Sequence, residues 1–157
     1  MGVVLFFAHY ARYTGLTIYD DFAGELLEEI CENIPETLPI NLETGLCGIG
    51  WGIEYLIQNG FMEGDSNEIL AEIDQKVMER DLRRIKDLSL ETGLMGISCY
   101  IRSRLRSNKN MHIFDNRYLY DWKSLVSIAD IAEDNCILKY IVKINQFRLV
   151  GLNKNVI

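Results

Sequence analysis

Apolar residues recur along the chain with the spacing of amphipathic helices. Residues 3–14 form a nearly continuous apolar run that we predict to be helical, although residues 3–7 alone would also fit a buried strand. Gly15 followed by an apolar residue is typical of a helix end, and Asn59-Gly60-Phe61 repeats that signal. A second helix, with an acidic and solvated opposite face, is predicted from an apolar stripe of Phe22, Leu26, Leu27, Ile30 and Ile34.

The middle of the chain predicts three more helices. Pro35 and Pro39 enforce a break after the second helix, because proline does not fit a helix interior. Residues 44–58 and 92–106 then have helical spacing. Between them, Asp65 and Glu68 have the spacing of a capping box, which predicts a helix that buries Ile69, Leu70, Ile73 and Val77. The remaining charged residues between 68 and 84 are interpreted as a solvent-exposed surface.

The last third of the chain is predicted as a polar loop over 107–116 followed by two helices. Asp121 is expected to cap the first of these, which would bury Trp122, Leu125, Val126, Ala129 and Ala132. Apolar residues over 137–144 suggest a final helix, and a strand over 147–152 is an alternative.

An eight-residue segment occurs twice with a period of 48. The segment 42–49 returns as 90–97, and only Cys47, replaced by Met95, differs. A partial third copy lies at Met1-Gly2-Val3. Such a period indicates a stack of repeated units, here helical hairpins. We predict a single domain over 1–157, with repeats at about 1–40, 41–88 and 89–133 and an atypical tail at 134–157.

Glycines mark the start of each repeated helix. Gly45 and Gly48 are expected in the first turn of one helix, and Gly93 and Gly96 in the first turn of the other. Glycine in a helix interior costs about 1 kcal/mol relative to alanine, so two glycines there indicate a local need. One explanation is close packing of neighbouring helices, with Gly52 extending the flat strip. The other is an anion site at the helix N-terminus. Packing is favoured, because a structural repeat uses the same packing arrangement in each copy, whereas a ligand site is usually unique.

A mixed polar and aromatic face is shared by the three repeated helices when residues are placed at 100° intervals. If these helices line the inside of a ring, this face borders a cavity. The candidate lining residues are His9, Arg12, Cys47, Trp51, Glu54, Tyr55, Cys99 and Arg102.

Two features of the chain resemble the lanthionine synthetase C-like family. They are the alternation of helices over residues 1–106 and the string Gly45-Leu46-Cys47-Gly48-Ile49-Gly50-Trp51-Gly52. The resemblance implies an α/α toroid, here a partial one of about three hairpins instead of about seven, with inner helices opened by GLxGI motifs. It also implies a catalytic zinc held by two cysteines and a histidine. The Trp-Cys and Cys-His-Gly segments that carry these ligands in the family are absent, since Gly52 follows Trp51.

Net charge and cysteine spacing restrict the partners. A formal charge of -7 disfavours nucleic acid, which requires a basic surface. The four cysteines show no CxxC spacing, which favours reduced thiols and a cytoplasmic protein. No apolar run reaches the roughly 18 residues of a membrane span. Because repeat arrays expose apolar flanks unless these are covered, we expect a homo-oligomer, with closure of the array by its atypical C-terminal helices as the alternative.

Two classes of function follow from these observations. The first is a non-catalytic interaction or accessory module for a protein or peptide, in a peptide-maturation or secretion system, with no cofactor. The second is an enzyme of the toroid type, either a zinc-dependent cyclase or a glycosidase. Cys47, Cys99 and His9 would be a chemically suitable zinc set. A glycosidase requires two acids in one cavity, and only Glu54 is on the proposed lining face.

Overall fold

Helices and loops account for every residue that the computed structural model describes, which are residues 1–107 and 113–132. The all-α prediction is therefore confirmed for these residues, including 3–7, where a strand was the alternative. The predicted features at 137–144 and 147–152 lie outside the described residues. The helices are α1 (Gly2–Thr14), α2 (Thr17–Glu32), α3 (Leu46–Gln58), α4 (Ser66–Ile69), α5 (Ala71–Met78), α6 (Leu94–Ser107) and α7 (Asn116–Ala132), with a 3-10 turn at Leu82–Arg84.

The first two helices form a hairpin around the predicted stop at Gly15. This glycine adopts a left-handed conformation with φ 70°, which glycine reaches without strain, and its N–H donates to the Ala11 carbonyl at 2.8 Å. The corresponding stop after α3 contains Gly60 with φ 64°. In the hairpin, α1 buries Val4 and Ala8, and α2 buries Ala23. Both predicted helix ends are thus confirmed.

The two repeated helices begin two residues later than predicted. Gly45 precedes α3 with an extended backbone, and Gly93 precedes α6. In each copy a loop carbonyl supplies the first bond of the helix: Pro39 accepts from the N–H of Leu46 at 2.8 Å, and Asp87 accepts from the N–H of Leu94 at 2.9 Å. The loop curls back over the helix start, so the helix cannot begin earlier.

The helix predicted after Asp65 is divided into two. Asp65 is the N-cap, because its carboxylate accepts from the N–H of Asn67 at 2.8 Å. The chain then breaks at Leu70, whose φ and ψ are -101° and 5°, and α5 begins at Ala71. Leu70, Ile73 and Val77 are buried as predicted, whereas Ile69 is exposed. The break lets both short helices face α3.

The predicted start of the next helix was wrong. Asp115, rather than Asp121, carries the start of α7, since its carboxylate accepts from the backbone N–H groups of Arg117 and Tyr118 at 2.6 and 3.2 Å. Asp121 lies inside the helix, 3.6 Å from the Arg83 guanidinium. The burial of Trp122 and Val126 is confirmed, and Leu125 is half-buried; the side chains of residues 128–132 lie outside those described.

The core lies between α3, α5, α6 and α7. α3 packs against α6, and the Tyr100 ring lies against Gly50. Two buried polar groups of α7 are satisfied in this core: Tyr118 donates to the Val77 carbonyl at 2.9 Å, and the Trp122 indole donates to the Ser98 hydroxyl of α6 at 3.0 Å. Among the described helices, none is both long enough and apolar enough to cross a membrane.

Candidate functional site

A groove with a volume of about 750 Å³ runs between the start of α1 and the helices α3 and α6. Its α6 side consists of residues 99, 102, 103 and 106, which recur at helical spacing and therefore lie on one face. Its α3 side carries the largest apolar surfaces, and the remainder comes from α1, α2 and the two repeated loops. The lining residues are Met1, Gly2, Leu5, Ile30, Leu42, Glu43, Thr44, Gly45, Gly48, Ile49, Trp51, Tyr55, Gln58, Leu90, Cys99, Arg102, Ser103 and Arg106.

Two stacked aromatic rings form one wall of the groove. The ring centroids of Trp51 and Tyr55 are 5.5 Å apart, with planes 27° from parallel. The Tyr55 hydroxyl lies 2.9 Å from Nε2 of His9, which fixes the outer end of the wall. Trp51 and Tyr55 are thus brought together in the groove, and His9 supports them from outside it.

Arg12 holds α1 to the end of α3 and does not line the groove. Its guanidinium carbon lies 3.5 Å from the centroid of the Phe61 ring. The same guanidinium donates to the carbonyls of Asn59 at 3.0 Å and Gly60 at 2.9 Å. These contacts are a cation–π interaction and charge-assisted hydrogen bonds, so Arg12 acts as a tie between the first and second hairpins.

Cys47 and Glu54 lie in the core and not in the cavity where the sequence placed them. Cys47 is fully buried, and burial, reinforced by the charge of Asp74, raises the pKa of its thiol to about 12. Glu54 is also fully buried, with Oε2 2.7 Å from Nη1 of Arg104. Both lie on the side of α3 that packs against α5 and α6, since Glu54 binds Arg104 of α6 and Asp74 of α5 acts on the Cys47 thiol.

A buried ionic cluster centred on Arg104 joins four helices. Its guanidinium binds Glu54 of α3 and Asp74 of α5, in each case at 2.7 Å, and donates to the Ser66 hydroxyl of α4 at 3.0 Å. Tyr100 adds a hydrogen bond to Asp74 at 2.6 Å. Burial alone would lower the pKa of Arg104, but the hydrogen bonds to Asp74 and Glu54 outweigh it and raise that pKa. The cluster is structural, since none of the four charged and phenolic groups is exposed to solvent beyond a few per cent.

Sequence reasoning missed this cluster because the charges around Asp74 were interpreted as wet surface. A signal was present: Arg104 follows Ile97, Tyr100 and Ile101 at positions i+7, i+4 and i+3, within the apolar stripe of α6. An arginine at such a position is buried only when paired.

Two arginine side chains, Arg102 and Arg106, lie on the α6 side of the groove. Burial is the main influence on Cys99 and raises the pKa of its thiol, but Arg102 and Arg106 act in the opposite direction. Cys99 lines the same wall as these two arginines. In a chain of net charge -7 they are a local pair of positive charges, and the carboxylate of Glu43 is also part of the groove lining.

The second glycine of each motif lies directly against the carbonyl of the preceding loop. A Cβ on Gly48 would collide with the carbonyl oxygen of Leu42, and a Cβ on Gly96 would collide with that of Leu90. The two contacts are 48 residues apart. The close approach is therefore between each helix and its own loop, and not only between neighbouring helices.

The first glycines, Gly45 and Gly93, meet the same loops from the other side, where the loop backbone leaves no space for a side chain. Gly52 instead faces the side chain of Met1 at the start of α1. The N–H groups near the start of α3 are already bonded within the chain, with Gly48 and Ile49 both donating to the Gly45 carbonyl. This occupancy leaves little for an anion to bind.

The two copies also touch through their loops. The backbone N–H groups of Leu42 and Glu43 both donate to the carbonyl of Glu91, at 3.2 and 3.0 Å.

In the described part of the chain, no three His, Cys, Asp or Glu side chains lie close enough together to hold a metal ion. Comparisons with family models, curated proteins and solved structures give no match for this chain.

Proposed function

We propose that the protein is a non-catalytic interaction module whose groove binds an extended peptide segment that combines apolar and acidic side chains. In this proposal α3 and α6 are equivalent inner helices of a partial α/α toroid related to the lanthionine synthetase C-like proteins, opened by the GLxGI motifs. The module would serve peptide maturation in the cytoplasm as an accessory to a separate enzyme.

The observation that carries the proposal is the composition of the groove. Its volume of about 750 Å³ is in the range of roughly 300–1,000 Å³ usual for ligand pockets. Trp51 and Tyr55 offer large, rigid surfaces that bind with little loss of side-chain entropy. Arg102 and Arg106 place two guanidinium groups on the α6 wall, which favours a carboxylate. Apolar contact on one side and attraction for an anion on the other together fit an acidic, amphipathic peptide.

The positions of the acids weigh against the glycosidase alternative. Glu54 is paired with Arg104 in the core, and the described lining of the groove has one carboxylate, that of Glu43. Hydrolysis of a glycosidic bond ordinarily requires two carboxyl groups flanking that bond. For the cyclase alternative, the described lining offers one cysteine, Cys99, and no histidine. A binding function requires only contact surfaces, which the aromatic rings and arginines of the groove supply.

Intrinsic fluorescence provides the test, because Trp51 lines the groove whereas Trp122 is buried elsewhere. The probes are acetylated ten-residue peptides in which leucine alternates with aspartate, lysine or serine. We expect the aspartate series to change the fluorescence and to bind at least tenfold more tightly than the lysine series. Replacing Arg106→Glu should abolish that preference, since the new carboxylate offsets the remaining charge of Arg102.

Binding of the aspartate peptide to protein variants is measured by calorimetry. Trp51→Ala should weaken binding of the aspartate peptide at least tenfold, whereas Tyr120→Ala, a change at an exposed tyrosine on α7, should leave it unchanged. Equal binding of all three series, or an unaltered affinity in Trp51→Ala, contradicts the proposal. Stoichiometric zinc in the purified protein would favour the enzyme alternative.

A further inference from the structure

The outer side of the first hairpin carries an exposed apolar surface, here termed the aromatic face. It consists of Val3, Phe6, Tyr10 and Tyr13 of α1 and Phe22 of α2, which are 37–81% exposed. The buried residues of α1, among them Val4 and Ala8, lie on the opposite side of the same helix. α1 is thus apolar on two sides, whereas a helix at the edge of a monomer needs only one apolar side.

Ring contacts make the aromatic face continuous. The Phe6 and Tyr10 rings stack with centroids 5.7 Å apart, and Tyr10 meets Tyr19 of α2 edge-on at 4.7 Å. Phe7, beneath the surface, joins Phe6 at 5.2 Å to Phe22 at 4.8 Å. The rings of Phe6, Tyr10 and Phe22 therefore belong to one patch and are not scattered surface residues.

We propose that the aromatic face is the interface of a symmetric dimer with a second copy of this chain, in which α1 packs antiparallel against α1 of the partner. The stripe on α1 has spacings of three, four and three residues, the seam spacing of paired helices. It is also self-complementary about a twofold axis near residue 8. Such an axis sets Phe6 opposite Tyr10 of the partner and Val3 opposite Tyr13 of the partner.

The area of the patch agrees with this occupant. With five side chains of roughly 200 Å² each, about half exposed, the aromatic face offers on the order of 500 Å², in the upper part of the range for the largest patch on a typical monomer. Two such faces together would bury about 1,000 Å², the minimum for a specific interface and the size of a weak, reversible one.

Charge favours a second copy over a basic partner. α1 has one charged residue, Arg12, and its guanidinium is already held by Phe61 and the carbonyls after α3. The acidic residues of the hairpin are on α2, all exposed: Asp20, Asp21, Glu25, Glu28, Glu29 and Glu32. An antiparallel α1 pair keeps the two α2 helices on opposite sides of the dimer, so their like charges stay apart.

Sedimentation velocity of the full chain from about 1 to 200 µM tests the dimer. We expect a reversible monomer–dimer equilibrium, and Phe6→Glu should raise its dissociation constant at least 100-fold. Tyr120→Glu is the matched control, because this tyrosine is 72% exposed on α7, outside the aromatic face. Circular dichroism should show unchanged helix content in both variants.

A pair of double variants tests the antiparallel register. In Phe6→Glu/Tyr10→Lys, each new acid would face a new base across the twofold axis, so dimerisation should recover at least tenfold relative to Phe6→Glu/Tyr10→Glu. A monomer at every concentration overturns the proposal, even if that monomer binds phospholipid vesicles or another protein. So does a dimer that is insensitive to Phe6→Glu, or equal association of the two double variants.

Discussion

Replacing Arg104→Met should destabilise the folded chain by about 3–5 kcal/mol, because the change leaves Glu54 and Asp74 without their buried partner. A small domain has a free energy of unfolding of about 5–15 kcal/mol, so the variant would be near its unfolding threshold. Methionine fills much of the volume of the arginine stem. The loss therefore reports on the charges and not on a cavity.

The geometry of the cluster predicts an order among milder variants. Asp74 accepts from Nε and Nη2 of Arg104 and from the Tyr100 hydroxyl, whereas Glu54 accepts from Nη1 of Arg104 and from Gln58. Asp74→Asn disturbs more of these bonds than Glu54→Gln. We expect losses of about 2–3 and 1–2 kcal/mol respectively, within the range for hydrogen bonds to charged groups and buried partners left unpaired.

Urea unfolding followed by circular dichroism measures these losses. The triple variant Glu54→Met/Asp74→Met/Arg104→Met separates the loss of attraction from the cost of unpaired charge, since replacing a whole buried ion cluster by apolar residues is often neutral. We expect it to regain at least half of the loss seen in Arg104→Met. A loss below about 1 kcal/mol in Arg104→Met, or a triple variant as unstable as the single one, would refute the reasoning.

Two further predictions concern the glycine motif and the thiols. Gly48→Ala should lower the free energy of unfolding by about 1–3 kcal/mol in the same urea assay, because the new Cβ meets the Leu42 carbonyl. The control Gly24→Ala, on the open side of α2, should raise it by about 0.5–1 kcal/mol. A stabilising Gly48→Ala would contradict the close approach. Alkylation by iodoacetamide at pH 8, followed site by site with mass spectrometry, should modify exposed Cys31 first and buried Cys47 only on unfolding. The reason is that the thiolate is the reactive form and burial raises the pKa of Cys47 to about 12. Early modification of Cys47 in the native protein would contradict its burial.

The helices could be predicted from the sequence where one local signal was sufficient. The stop at Gly15 needed only a glycine able to adopt φ 70°, and the cap at Asp65 needed only a carboxylate before the helix. The starts of α3 and α6 were missed by two residues because the loop carbonyls of Pro39 and Asp87 supply the first helical bond from a distance in sequence. Helix spacing contains no information on such a contact.

The groove was predictable only in part. Trp51, Tyr55, Cys99 and Arg102 line it, yet periodicity alone could not separate them from Glu54, which lies three residues from Trp51 on the same helix. Which half of a helix face borders a cavity depends on the neighbouring helices. Those helices are placed by long-range packing that one sequence does not reveal.

The paired hydrogen bonds from Leu42 and Glu43 to the Glu91 carbonyl have a consequence for cooperativity. They involve main-chain atoms alone, so any residue except proline can donate them from positions 42 and 43. Neither loop can open without breaking bonds that also hold the other. We therefore expect the opening of one loop to be coupled to the opening of the other.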